Sequence, residues 1–566
     1  MSDYIETKGN EPTESFGYEV LPKPITVNSI YSEVLAKRKL REDEKKKKKK
    51  KGGGNKSKKD LDLEIYDNYL SYYNVLDPNE LNPFMREQSG LREGNVIPKE
   101  LKLDLYEDSG FFFGMKNDHN VFVGKPAHLD GHIEIVGLPG SGKTMAIAIP
   151  TMMTWRGIQI IIDVKGNLYR YWALLNGHTG KKVKLFSPGA SEGSSCRYDP
   201  YTLLRHGGDK NLAGNARDLA LALMPLTSNI KDPIWIQATQ SFLTAVFIYY
   251  FKLGATFVET MMEIQTTPIT DIIKEIKDDD NTAARVYINQ LSAVQEKVIS
   301  NTGMELSKLA TLVADDAILN AFSVDETSDV IDWFELNNTT EPFDIILELP
   351  EDRLEQWKPM TMLMLNQLIK VLEQRPERTY KKDEETPPVL VMLDEFPRLG
   401  PIAAIKDGLS TLRSRGVTFA LFLQGMARLD EEYGPLAARS ISEICAYKIV
   451  LSVSDPSGQE YYSKLVGTTE STQRSISENH DPITGKVVGY GRSISETREP
   501  IIYPHEFLKL EDVVVINPHG GFCRVNKILF AKRENREMFL LPQLKQNRDY
   551  MVQKGIALKQ EWGVQF

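Results

Sequence analysis

Eight consecutive residues, Gly137-Leu138-Pro139-Gly140-Ser141-Gly142-Lys143-Thr144, fit the pattern G-x-x-x-x-G-K-[ST]. The glycines let the backbone turn tightly and aim successive N–H groups at phosphate oxygens, and the helix expected to follow adds the positive end of its dipole. Lys143 is placed to neutralise the β- and γ-phosphates of ATP, and the Thr144 hydroxyl to ligate Mg2+. A nucleotide hydrolase needs carboxylates as well. The run VLVMLDEF supplies Asp394 and Glu395 directly after an apolar strand. Asp394 is expected to hold Mg2+ through water, and Glu395 to polarise the attacking water. Gln424 ends the next apolar run, TFALFLQ, where a side-chain amide can contact the γ-phosphate or the water. Arg413 and Arg415 precede that run. An arginine there is placed for a neighbour's nucleotide across a ring rather than its own, and a solvated helix end is the plainer alternative.

These groups have to be carried by strands and helices in alternation. Residues 134–150 read as a strand, a glycine-rich turn and a helix. Short continuous apolar runs follow at 158–163, 182–186, 344–349, 388–395, 418–424 and 447–452, with helical stretches between most of them. Strands apolar on both faces and alternating with helices indicate an α/β fold with a predominantly parallel sheet. Between Tyr201 and about Asp332 the alternation stops, and five or six helical patterns replace it. This predicts an all-α domain inserted into the α/β domain. FFFGMKNDHNVFVG reads as a strand pair, and DVVVINPHGGFCRVNKILF as a β-hairpin.

With 566 residues the chain requires more than one core. Its 41% hydrophobic and 26% charged residues are those of an ordinary globular protein, and a net charge of −9 confines any nucleic-acid contact to local patches. Cys196, Cys445 and Cys523 have no metal-ligand spacing and imply a reducing compartment. No signal peptide is visible. The most apolar stretch, 242–254, is interrupted by Lys252 and is shorter than a bilayer span requires. Residues 1–60 include REDEKKKKKKKGGG and read as a disordered basic tail. The lysines at 45–51 are open to two readings, a docking segment for anionic lipid, nucleic acid or an acidic partner, or a solvated linker.

GLPGSGKT, IIIDVKGN, LFSPG, RYDPYTLL, DPIWIQA, LDEFPRLG, LQGMARLDEEYG and DPSGQEYYSKLVG occur in this order. In that order they resemble the TraG/TraD-type coupling proteins of type IV secretion and conjugation, over residues 124–530. The resemblance implies a RecA-like P-loop motor domain with an inserted all-α domain, ATP and Mg2+ as cofactors, and assembly into a homo-hexamer. It implies as partners single-stranded DNA bearing a relaxase, and the subunits of the secretion channel. It assigns Lys143 and Thr144 to the Walker A motif, Asp394 and Glu395 to Walker B, Gln424 to the glutamine sensor, and Arg413 rather than Arg415 to the arginine acting in trans. Two departures stand out: Asn167 replaces the acid of the family's KGE or KGD, and the membrane-spanning helices with which members begin are not seen. The expected localisation is therefore cytoplasmic, with recruitment to the inner face of the membrane by a separate anchoring protein.

The expected division is a tail over 1–60, an N-terminal helical or linker region over 61–123, a RecA-like domain over 124–204 and 333–541, the all-α domain over 205–332, and a C-terminal tail over 542–566. Two other functions share these motifs: a soluble RecA-like DNA translocase for segregation or packaging, and a nucleotide-gated docking platform without motor activity.

Overall fold

A computed structural model of the chain describes residues 97–535, apart from 106–107, 117–120, 180, 189–194, 227–232, 293–295, 378–385, 403, 481–486, 519–520, 531 and 533–534. The basic tail, the lysines at 45–51 and the C-terminal tail from 542 lie outside the described residues.

Sixteen strands are described. β1 (Lys102–Leu103), β2 (Gly110–Lys116) and β3 (Val121–Pro126) form a small antiparallel sheet ordered β1-β3-β2. β4 (Ile133–Val136), β5 (Ile158–Asp163) and β6 (Val183–Phe186) belong to the main sheet, whereas β7 (Arg197–Tyr198) pairs in parallel with β8 (Val330–Ile331). β9 (Asp344–Glu348), β10 (Val389–Leu393), β11 (Val417–Leu423) and β12 (Tyr447–Val450) return to the main sheet. β13 (Thr468–His480) and β14 (Val487–Pro500) form a separate antiparallel ribbon, and β15 (Val513–Asn517) and β16 (Gly521–Val525) are a hairpin on the sheet's edge.

The main sheet has nine strands in the order β16-β15-β12-β4-β11-β10-β5-β9-β6. The seven from β12 to β6 are mutually parallel, and the terminal hairpin joins β12 antiparallel. Period-2 alternation divides each strand between two cores. Val389, Val391 and Leu393 of β10 face one, Leu390 and Met392 the other. This two-sided burial is why these runs read as continuously apolar. The parallel sheet with an inserted helical block is the expected α/β architecture.

Residues 202–322 carry eight helices among the described residues, from Thr202–Leu223 to Asp316–Phe322. Their apolar sides join the same core as one face of the sheet. Phe186, Phe322 and Trp357 meet edge-on or tilted at about 6 Å. Tyr198 bonds to Gln367 and accepts a hydrogen bond from Trp333 Nε1 at 2.8 Å. Val330–Ile331 departs from the strandless reading of this region: these two residues pair with β7 and close the insertion at its base.

Candidate nucleotide site

Strand order decides what the loops can do together. The glycine-rich loop follows β4, the paired acids follow β10, and β11 lies between those two strands. All three strands are parallel, so their C-terminal ends open onto one edge of the sheet. Adjacent strands are about 4.8 Å apart, which brings Lys143, Asp394, Glu395 and Gln424 into one site although 281 residues separate the first from the last.

The start of the loop is tied to the sheet. Gly137 N donates to Leu423 O at 3.1 Å, tying the loop to β11, and Leu138 N donates to Ser452 Oγ at 3.0 Å, tying it to the end of β12. A Cβ on Gly137 would lie 2.4 Å from Ser141 Oγ, and Gly142 sits at φ +101°. Leu138 is half-buried and Pro139 and Gly140 are exposed. The helix after the loop begins as a π turn over Lys143–Ala148 and becomes α-helical at Ile149–Thr154. Pro150 lacks an N–H to continue the ordinary ladder. Met145 O instead accepts from Phe530 N at 2.9 Å, so a segment beyond the terminal hairpin straps the start of this helix.

Lys143 is buried and its ammonium donates to Gly137 O within its own loop. Burial pushes its pKa down, while Glu395 and Asp394 pull it back. Thr144, half-buried, follows on the first turn. Ser141 Oγ is buried with no hydrogen-bond partner among the described residues.

Asp394 is buried, and the lack of water around it pushes its pKa up to about 6; Asp163 and Glu395 push the same way and Lys165 opposes. Glu395 is the one non-glycine residue with positive φ among the described residues, at +50°. Such a conformation costs of order 1–3 kcal/mol and persists where the surroundings enforce it. Both carboxylate oxygens of Glu395 are engaged. Oε1 meets Lys165 Nζ at 2.6 Å, and Oε2 accepts from Gln424 Nε2 at 2.9 Å with Arg398 Nη1 at 3.7 Å. Burial works to raise the pKa of Glu395, but the Lys165 and Gln424 hydrogen bonds outweigh it and the pKa is lowered.

Arg413 is not brought to this edge. It is exposed in the turn before β11 and therefore at the opposite end of that strand from Gln424. Arg415 is tied into the structure instead, bonding to Arg375 O, while Arg375 Nε returns a bond to Arg415 O. Sequence reasoning missed Lys165 and Ser452. Lys165 stands next to the Asn167 that departs from the family pattern; nothing in the run of residues around Ser452 marks it, because only the pairing of β12 with β4 brings it to the loop.

Residues 87–535 match the family described as type IV secretory system conjugative DNA transfer. The chain belongs to that family. Among its relatives, the conjugal transfer protein TraG of Escherichia coli is 24% identical over 401 residues, which cover 65% of this chain and 60% of that protein. VirD4 of Rhizobium radiobacter is 23% identical over 350 residues, 61% of this chain and 49% of that protein. The chain thus spans between about half and three-fifths of the length of these relatives. Among solved structures, the unbound conjugative coupling protein TrwBdeltaN70 superimposes with a TM-score of 0.56 at 16% identity, covering 77% of this chain and 93% of that one. The plasmid coupling protein TrwB in complex with ADP and Mg2+ gives 0.55 at 15%, covering 78% and 94%. The chain therefore shares the fold of these coupling proteins. No helix among the described residues is long and apolar enough to cross a membrane.

Proposed function

We propose that this chain is the coupling ATPase of a conjugative DNA transfer system: it binds and hydrolyses ATP and brings a DNA–relaxase substrate to the secretion channel. The observation that carries the reading is the convergence of Lys143, Asp394, Glu395 and Gln424 on one sheet edge, in a member of a DNA-transfer family. TrwB has been solved with ADP and Mg2+ and with the ATP analogue ADPNP, which supports the same ligands here.

The residues present fit a nucleotide and its metal. The N–H groups of Gly140, Gly142, Lys143 and Thr144 would cradle the phosphates, and the unpartnered Ser141 Oγ is a further polar atom in that cradle. Thr144 and Asp394 are the hard oxygen donors that Mg2+ takes. Once bound, the metal neutralises phosphate charge. Glu395 polarises the attacking water and Gln424 orients it. Arg413, remote from its own site, serves the neighbouring subunit in a homo-hexamer. A separate membrane protein binding the region before residue 124 would hold the assembly at the inner face of the membrane.

The test is ATP turnover of the full chain with and without single-stranded DNA, together with DNA transfer in cells complemented with the same variants. The proposal expects DNA-stimulated turnover and a transfer defect with Lys143→Ala. Turnover unaffected by DNA, with transfer intact in that variant, would support a docking platform instead.

A further inference from the structure

Lys165 occupies a position that the nucleotide-site assignment does not account for. Its loop is held from below. Asp163 Oδ1 accepts from Lys165 N and Gly166 N, both at 3.0 Å, and Asp163 Oδ2 accepts from Leu168 N at 2.6 Å. Gly166 turns at φ +66°, where a Cβ would lie 3.0 Å from Glu348 Oε1. The backbone is thus fixed, while the side chain is about one-third exposed and reaches across the neighbouring β10 to Glu395 at 2.6 Å. The same ammonium feels Asp394 and Glu351 and repels Lys143, which places it among the groups that face the phosphates.

We propose that Lys165 is a sensor of the γ-phosphate, held by Glu395 as seen here and transferred to the terminal phosphate when a nucleoside triphosphate binds. This rests on the assignment of the phosphate site to residues 137–144. Three observations carry it. The pair joins a buried carboxylate to a partly solvated lysine on a flexible stem, and ion pairs with a solvent-exposed partner are weak enough to exchange. A γ-phosphate offers more negative charge than the single carboxylate it would replace. And Glu395 has its second oxygen held by Gln424, so it keeps its orientation when Lys165 leaves. With the cation gone, the carboxylate regains an acceptor site for the attacking water. The exchange makes Glu395 competent only when a triphosphate is present.

Affinities of the full chain for Mg2+-ADP and for Mg2+ with a non-hydrolysable ATP analogue test this without turnover. They are measured by fluorescence titration in the wild type, Lys165→Met, Glu395→Gln and the double variant. Lys165→Met should bind ADP within about twofold of wild type but lose about fivefold of its preference for the triphosphate. Glu395→Gln should gain a similar preference, and the double variant should behave as Lys165→Met. Lys165→Gln repeats the comparison, and Lys165→Arg should keep the preference. A preference unchanged in Lys165→Met, or a gain from Glu395→Gln equal in both backgrounds, overturns the proposal. Lys143→Ala separates the two failures. If it binds both nucleotides as the wild type does, the phosphate-site assignment is wrong; if it loses them while Lys165→Met keeps its preference, only the exchange is wrong.

Discussion

Individual residues set how the fold answers to pH, and His132, at the end of β4 opposite the glycine-rich loop, is the clearest case. The ring is fully buried before β4, with its Nε2 on Leu409 O at 2.7 Å and its Nδ1 accepting from Phe419 N at 3.0 Å. Burial lowers its pKa to about 4, with Lys125 and Arg413 adding to that and the Leu409 carbonyl opposing. The folded protein therefore keeps it neutral where the unfolded chain, near 6.5, takes up a proton. Stability from this residue is complete above pH 6.5 and is lost as pH falls toward 4, by about 3 kcal/mol in all. Thermal unfolding followed from pH 7 to pH 4 should show this slope, and His132→Gln should flatten it. Gly137→Ala should weaken nucleotide binding, since its Cβ would displace Ser141 Oγ and press on Leu451 Cβ at 3.2 Å and Lys143 Cγ at 3.3 Å; calorimetric titration with ADP checks it. Lys143, Thr144, Asp394, Glu395 and Gln424 were legible because each follows an apolar run whose end is visible in the sequence. Lys165 and Ser452 also close apolar runs, at 158–163 and 447–452, but no motif marks them there, and only the pairing of β5 with β10 and of β12 with β4 brings them to the site.

Secondary-structure elements were legible where both faces are buried. The runs at β5, β9, β10, β11 and β12 are recognisable from composition alone, but the placing of β11 between β4 and β10 is a property of the folded sheet. The ribbon of β13 and β14 escaped notice because it is polar and its strands pair only with each other. A signal was present: Arg-Ser-Ile-Ser-Glu occurs at 474–478 and again at 492–496, and the two copies meet antiparallel about Ser475 and Ser493. Because Thr468 pairs with Pro500, the ribbon can be excised and its base closed by a short glycine-serine turn. Removing residues 469–499 in this way should leave the melting temperature within about 2 °C and ADP affinity unchanged, because no strand of the main sheet is lost. A large drop in melting temperature would mean that the ribbon supports the core.

At the scale of the whole molecule, the insertion shares one continuous core with one face of the sheet, and Phe186, Trp357 and Gln367 stand where the two meet. Between Arg413 and Gln424 lies the whole of β11, seven residues or about 23 Å of strand, which keeps Arg413 from its own site. Arg413→Ala should keep ATP binding and lose on the order of 10³–10⁵ in turnover. Mixing it with Glu395→Gln subunits should restore part of that activity, because one interface then combines an intact arginine with an intact carboxylate. No recovery in assembled mixed rings would exclude the trans role. Hydrolysis of ATP at this sheet edge is tested most directly by nucleotide affinity beside turnover in Lys143→Ala and Glu395→Gln. Lys143→Ala should lose hydrolysis, and Glu395→Gln should bind ATP but turn it over very slowly. Wild-type turnover in Lys143→Ala would contradict hydrolysis at this edge.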